Sequence, residues 1–399
     1  MSQLRVEGLT KIFGDNPKRA HEALQRGLSK DEVLAETGHV VAVRDVTFEV
    51  DRGELFVVMG LSGSGKSTVV RMLNRLIEPT SGRVQLDGQD VLAMDGEQLR
   101  KLRMTHISMV FQHFALFPHR TVRANAGYGL KVQGVPEAER RERADRALER
   151  VGLGGWGDSM PHELSGGMQQ RVGLARGLAT DADILLMDEP FSALDPLIRR
   201  DMQDLLAGLQ EELGRTIIFI THDLNEAMRL GDRIVVMKDG AVVQIGTGEE
   251  IIHDPATQYV ADFVADVDRS RVLTAQLAMR EPRRTFGPEA NPREVLDWLD
   301  HAEVNGVYVL DGDRRILGVA RDDRVARGVR EGATEVRSLL VDDYARVSLE
   351  TPLNELTGLA AQHTVPIAVA DEYGHLLGVV RRATLLATIS GDEEVAADA

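Results

Sequence analysis

The sequence predicts an α/β protein, with a largely parallel sheet flanked by helices and a smaller α/β module behind it. Three observations carry that expectation. Residues 55–59, 184–187 and 217–220 are continuous apolar runs, the pattern of strands buried on both faces. The first run leads through a glycine-rich turn into a helix-like stretch, the strand–turn–helix order of α/β folds. Near the end of the chain, Val307-Tyr308-Val309-Leu310-Asp311 with Ile316-Leu317-Gly318-Val319 is echoed by Ile367-Ala368-Val369-Ala370-Asp371 with Leu376-Leu377-Gly378-Val379. A period of roughly 60 residues suits a tandem β-α-β-β-α module.

In chain order, residues 4–14 and 40–53 read as strands, separated by a helical insertion over 15–39. Asn16-Pro17 starts its first helix, and Ser29 with Glu32 forms a capping box for the second. Gly27 and Gly38 serve as stops. A helix begins at about Lys66, and residues 136–151 form a charged helix within a helical subdomain at about 113–175. The first domain is expected over 1–267 and a linker over 268–292, where 280–292 holds three prolines and little periodicity. The repeats occupy 293–390, and 391–399 is an acidic tail.

Composition narrows the function. The 399 residues are 43% hydrophobic and 28% charged, as in ordinary globular domains. A net charge of -16 argues against a general nucleic-acid binder, which needs cationic surface. With no cysteine there is no disulfide or thiolate metal site. No signal peptide is expected at the amino terminus, and no run of about 18 apolar residues suggests a membrane span. Any link to a membrane therefore runs through a partner.

Gly60-Leu61-Ser62-Gly63-Ser64-Gly65-Lys66-Ser67 fits the phosphate-loop pattern in its required setting. Its glycines turn backbone N–H groups toward phosphate, Lys66 reaches the β- and γ-phosphates, and the Ser67 hydroxyl can ligate Mg²⁺. Asp188 ends an apolar strand, where a carboxylate can hold the metal, and Glu189 beside it is the candidate general base. In isolation two acids at a strand end are as often a solvated turn; the phosphate loop tips the balance. His222, just past the strand ending at Ile220, can meet the γ-phosphate. Ser165-Gly166-Gly167 reads as a second phosphate-gripping helix start, suited to a neighbour's nucleotide, or as a plain helix-start turn. Phe13 is either a stacking partner for adenine or a core aromatic, and Gln112 a sensor of metal or water.

These elements in this order resemble the ATP-binding subunits of ABC transporters: phosphate loop, Gln112, Leu164-Ser165-Gly166-Gly167-Met168-Gln169-Gln170, Asp188-Glu189, Ser192-Ala193-Leu194-Asp195, His222. Within them, Ile12-Phe13-Gly14 with its insertion, Leu73-Asn74-Arg75-Leu76-Ile77-Glu78-Pro79-Thr80 and Phe114-Ala115-Leu116-Phe117-Pro118-His119 are similar to the glycine betaine/proline uptake ATPases. The C-terminal repeat resembles the paired CBS modules attached to that family. The resemblance implies a P-loop NTPase fold of the ABC nucleotide-binding type with a helical subdomain. It implies ATP and Mg²⁺ as cofactors, with Phe13, Gly60, Ser62, Gly63, Ser64, Gly65, Lys66, Ser67, Thr68 and Gln112 serving the nucleotide. Ser67, Gln112 and Asp188 serve the metal; Lys66, Glu189 and His222 serve catalysis. Ser165, Gly166 and Gly167 close the opposite chain's site in an ATP-sandwiched homodimer, and Asp195 is a further nucleotide-binding residue. Residues 112–119 face an integral membrane permease, itself fed by an extracytoplasmic substrate-binding protein. The location implied is the cytoplasmic face of the plasma membrane, without nucleic-acid partners.

In one respect the pattern departs. CBS modules that bind adenine nucleotides often carry Ser or Thr three residues after a glycine, and Asp three further on. Here Gly318 is followed by Arg321 and Arg324, and Gly378 by Arg381 and Thr384. A salt-responsive regulator and a structural dimerisation module both remain open. So does the cargo, since choline, carnitine or an amino acid could use the same engine. A non-transport ABC ATPase is the other class, although such proteins usually carry long heptad arms or two cassettes.

Overall fold

The structure, a computed structural model, describes residues 2–112, 115–265 and 267–391. The chain forms two compact units, Met1–Val267 and Asp268–Ala399.

The first unit opens with β1 (Ser2–Phe13), the inserted helices α1 (Pro17–Gln25) and α2 (Lys30–Thr37), and β2 (Val40–Asp51). The insertion folds for local reasons. Pro17 occupies the first turn of α1, while Ser29 and Glu32 form a reciprocal capping box on α2, which Gly38 ends in the left-handed region. Next come β3 (Leu55–Met59), α3 (Lys66–Leu73), β4 (Ser81–Leu86), β5 (Gln89–Asp90), α4 (Gly96–Thr105) and β6 (Ile107–Val110). A helical region follows, with α5 (Val122–Ala126), α6 (Tyr128–Val132), α7 (Glu137–Arg150) and α8 (Gly166–Ala179). The unit closes with β7 (Ile184–Asp188), α9 (Pro196–Leu213), β8 (Thr216–Thr221), α10 (Leu224–Leu230), β9 (Arg233–Lys238), β10 (Ala241–Gly246), α11 (Gly248–His253) and α12 (Gln258–Val264).

Two sheets result. An antiparallel one has the order β2-β1-β4-β5. The other runs β10-β9-β3-β8-β7-β6, parallel throughout except for the edge strand β10. Every residue of β3 and β7 is buried, which is why their sequences read as unbroken apolar runs. Helix α3 lies between the sheets, and its Val69, Val70, Met72 and Leu73 share one core with Val6 and Phe48 of the first sheet and Val58 and Ile218 of the second. Register then sets the site. Met59 pairs with Thr221 and Asp188 with Ile220, so the chain leaves β3, β7 and β8 at adjacent points on one sheet edge. Ligands of parallel α/β sheets bind at such carboxyl ends.

The second unit begins where the sequence predicts a linker, and that segment is structured. Residues 268–292 hold α13 (Arg269–Val272) and α14 (Ala275–Ala278); Arg280 bridges to Val379, and Phe286 to Val309. Phe286 enters the core of the first repeat and meets Trp298 edge-on at 5.9 Å. The segment escaped the sequence reading because its buried residues follow neither helical nor strand spacing.

Beyond it come α15 (Pro292–Ala302), β11 (Gly306–Leu310), β12 (Ile316–Arg321) and α16 (Asp322–Glu331). The second repeat supplies β13 (Arg346–Val347), α17 (Leu353–Gln362), β14 (Ile367–Ala370), β15 (Leu376–Val380) and α18 (Arg382–Ser390). Each repeat pairs two antiparallel strands with a helix on either side. The repeats share a core in which Tyr308, Leu310 and Val319 of one pack with Ala368, Leu376 and Val379 of the other. The Tyr308 hydroxyl donates to Pro366 O at 2.6 Å. Of the tail at 391–399, all but Gly391 lies outside the described residues.

Candidate nucleotide-binding site

The glycine-rich turn between β3 and α3 is shaped from behind by backbone. Gly60 has φ 148°, and a Cβ there would lie 2.2 Å from Met237 O; Gly65 has φ 97°, and a Cβ there would lie 2.4 Å from Ala42 O. Only glycine fits at either position. Gly63, at φ 80°, faces open space, so glycine serves the turn itself there. Ser62 is exposed, and Thr68 half-buried in the first turn of α3. The Ser64 hydroxyl is buried without a hydrogen-bond partner among the described residues. Such an orphaned donor amid inward-turned backbone suits an anionic oxygen.

Lys66 is 5% exposed, and its Nζ donates to Gly60 O at 2.8 Å and Leu61 O at 3.1 Å. Burial pushes its pKa below the usual lysine value, while Glu189 and Asp188 pull it back up. The ammonium is thus aimed back over the turn.

Across the sheet edge, the Ser67 hydroxyl donates to Asp188 Oδ1 at 2.7 Å, and Arg71 binds Oδ2 at 2.9 Å. Asp188 is 3% exposed, so the hydroxyl and carboxylate form a deep pair of hard oxygen donors. Mg²⁺ is commonly held by one or two protein oxygens, with phosphates and water completing its shell, and this pair fits it. Among the described residues no cluster of three or more His, Asp or Glu forms a fuller metal cage. Gln112 is exposed and turned toward another neighbour, its Nε2 donating to the Ser192 hydroxyl at 3.2 Å.

Glu189 adopts a left-handed backbone at φ 47°, a conformation rare for a residue with a long side chain. Its N–H donates to Ile220 O at 3.2 Å, and its Oε2 lies 3.0 Å from His222 Nδ1. The unusual backbone and this contact aim the carboxylate toward the residue that follows β8. Glu189 is half-buried and His222 exposed.

Ser165 caps α8 by accepting from Met168 N at 3.3 Å, and both Ser165 and Gly166 are exposed. Gly167 has a packing role that the sequence does not announce: a Cβ there would lie 2.4 Å from Ile198 Cγ2 of α9. Asp195 caps α9, accepting from Ile198 N at 3.1 Å. Phe13 is 42% exposed, with Lys11 Nζ 5.0 Å from its ring centroid. Of residues 112–119, 113 and 114 lie outside the described residues.

The structure therefore gathers Lys66, Ser67, Asp188, Glu189 and His222 through direct contacts or mutual electrostatics, and ties Gln112 to Ser192 instead of to the Ser67–Asp188 pair. The sequence reading missed Arg71, and it named Ser192 only as part of the Ser192–Asp195 element, not as a partner of Gln112. Arg71 stands four residues after Ser67 on the same helix, one turn on, a spacing that could have exposed it.

The family model for ABC transporters matches residues 43–192. The chain is 49% identical to the glycine betaine/carnitine transport ATP-binding protein GbuA of Listeria monocytogenes, over 98% of this chain and 99% of that protein. It is likewise 49% identical to the glycine betaine transport ATP-binding protein OpuAA of Bacillus subtilis, over 98% of this chain and 93% of that protein. Among solved structures it resembles the dimeric ATP-binding cassette MJ0796 in a post-hydrolysis state bound to ADP and Pi. That match has a TM-score of 0.52 and 32% identity over 61% of this chain and 98% of the other. With a phosphate loop, a metal-ready oxygen pair and an acid–histidine contact on one sheet edge, and relatives matching nearly end to end, the chain belongs to the ATP-binding subunits of ABC transporters, in the glycine betaine uptake family.

Proposed function

We propose that this chain powers an importer of glycine betaine and related quaternary amines, proline among the candidate cargoes, through a partner permease. In this reading two copies sandwich two ATP molecules. Lys66 and the backbone of residues 60–68 grip the phosphates, Ser67 and Asp188 would hold Mg²⁺, and Gln112 would turn from Ser192 toward it. Bound there, Mg²⁺ neutralises charge on the phosphates undergoing cleavage. Glu189 accepts a proton from the attacking water, and His222, in contact with Glu189, steadies that carboxylate and the γ-phosphate. Ser165, Gly166 and Gly167 of one copy, with Asp195 nearby, close over the nucleotide of the other. Tighter binding of ATP to the closed pair drives the permease, and hydrolysis reopens it.

The observation that supports this reading is the alignment of Met59 with Thr221 and of Asp188 with Ile220, so that residues 60–67, Asp188-Glu189 and His222 follow from strand ends at one sheet edge. The permease contact belongs to residues 112–119, and the substrate-binding protein acts from the far side of the membrane. No helix among the described residues is long and apolar enough to cross a membrane, so a peripheral place on the cytoplasmic face rests on that permease contact. The second unit, read as a tandem CBS pair, is the candidate regulator. The test is reconstitution with the cognate permease and binding protein in liposomes, with uptake of glycine betaine, proline, choline and carnitine measured beside ATP hydrolysis. ATP-dependent betaine uptake is expected; hydrolysis stimulated by a different cargo alone would overturn the assignment.

A further inference from the structure

The insertion between β1 and β2 interrupts the chain at a sensitive place. Phe13, the last residue of β1, pairs with Val40, the first of β2, and both are exposed, at 42% and 50%. This apolar pair stands beside the phosphate loop, because Ala42, two residues along β2 from Val40, abuts Gly65. Two residues of strand span ~7 Å, a distance that the ribose of a nucleotide bridges. A long excursion at such a point lets the strand ends fray, since the entropy of closing a loop grows with its length.

His39 closes it. Its Nδ1 lies 2.7 Å from Thr37 O, and its Nε2 lies 3.3 Å from the Asn16 backbone nitrogen. A carbonyl only accepts and an N–H only donates, so Nδ1 carries the hydrogen and Nε2 accepts. The ring also lies against Gly14, where a Cβ would fall 2.2 Å from His39 Cδ2, at φ 141°. One imidazole thus joins the chain leaving Phe13 to the chain arriving at Val40. The inserted helices have their own core in Ile12, Ala20, Ala23, Val33 and Val41, and α2 is ended by Gly38. His39 is therefore not what folds the insertion.

We propose that His39 is a positioning residue for the nucleotide base. By tying Asn16 to Thr37 it keeps the Phe13 ring, with the Lys11 ammonium beside it, in place as a platform for adenine. The proposal rests on the reading that residues 60–68 bind the phosphates of ATP.

The test is calorimetric binding of ADP and of inorganic tripolyphosphate to the full chain, as wild type, His39→Ala, Phe13→Ala and the double variant. His39→Ala is expected to weaken ADP binding ~3- to 10-fold, the worth of about one hydrogen bond, and to leave tripolyphosphate binding unchanged. In the Phe13→Ala background it is expected to add nothing, because it acts through that ring. His39→Asn, which can donate to Thr37 O but does not reach Asn16, is the second variant if alanine prevents folding, and is expected to loosen ADP alone. Equal weakening of both ligands, unchanged ADP affinity, or independent penalties in the double variant would each overturn the proposal, as would a Phe13→Ala chain that binds ADP like wild type. If wild type binds ADP but not tripolyphosphate, the phosphate-loop reading itself fails, and the proposal with it.

Discussion

Glu189, the proposed general base, is one side chain held by a left-handed backbone at φ 47° and by His222 at 3.0 Å. Glu189→Gln keeps the shape and removes the proposed base, so turnover is expected to fall roughly 10²–10⁴-fold with ATP binding preserved; steady-state hydrolysis and equilibrium binding on one preparation check both halves. Nearby, Glu226 is 5% exposed and accepts from Gln203 Nε2 at 3.1 Å. Burial raises its pKa above the ordinary 4.5, chiefly by desolvating the charged form. A carboxylate with a raised folded pKa costs stability as pH climbs from its unfolded value through its folded one. Glu226→Gln is therefore expected to gain thermal stability relative to wild type as pH rises above the ordinary 4.5, and a difference in melting temperature independent of pH would refute this. Which residues were legible follows the same logic. Lys66, Ser67, Asp188 and Glu189 could be read from sequence because phosphate and metal chemistry admits few residue types at fixed spacing. The contact of His39 with the Asn16 amide and that of Ser192 with Gln112, 80 positions away, could not, since only folding brings those partners together.

Among the elements, buried parallel strands were the easiest to foresee and irregular segments the hardest. β3 and β7 announce themselves because both faces are covered, leaving no polar alternation. Residues 268–292 carry no such signature, yet they put Phe286 into a core and bridge Arg280 to Val379. A C-terminal fragment starting at residue 293 loses that aromatic and the bridge. Its unfolding free energy is expected to drop by at least ~3 kcal/mol, the usual cost of emptying a phenylalanine site, relative to a fragment starting at residue 268. Equal denaturation midpoints for the two would show the segment to be a mere tether. Gly167 belongs at this scale too, because its missing side chain lets α8 approach Ile198 of α9. Gly167→Ala should impair hydrolysis, and Ile198→Ala should restore much of it if packing is the cause. Persistent loss in the double variant would place the defect at the nucleotide.

At the scale of the whole molecule, one chain offers a complete phosphate loop and a second capped helix start, where Ser165 and Gly166 are exposed. With hydrolysis blocked by Glu189→Gln, ATP is expected to shift the chain from monomer to dimer in light scattering. Ser165→Arg in that background should hold it monomeric; a dimer indifferent to ATP or to Ser165 would contradict the sandwich. A different lesson comes from the second unit. Its duplicated halves look interchangeable on paper, but Tyr308 of one is anchored on the Pro366 carbonyl of the other, and their apolar interiors are continuous. Excising, swapping or reshuffling one copy alone would break that hydroxyl contact and lay open the apolar interior the two halves share.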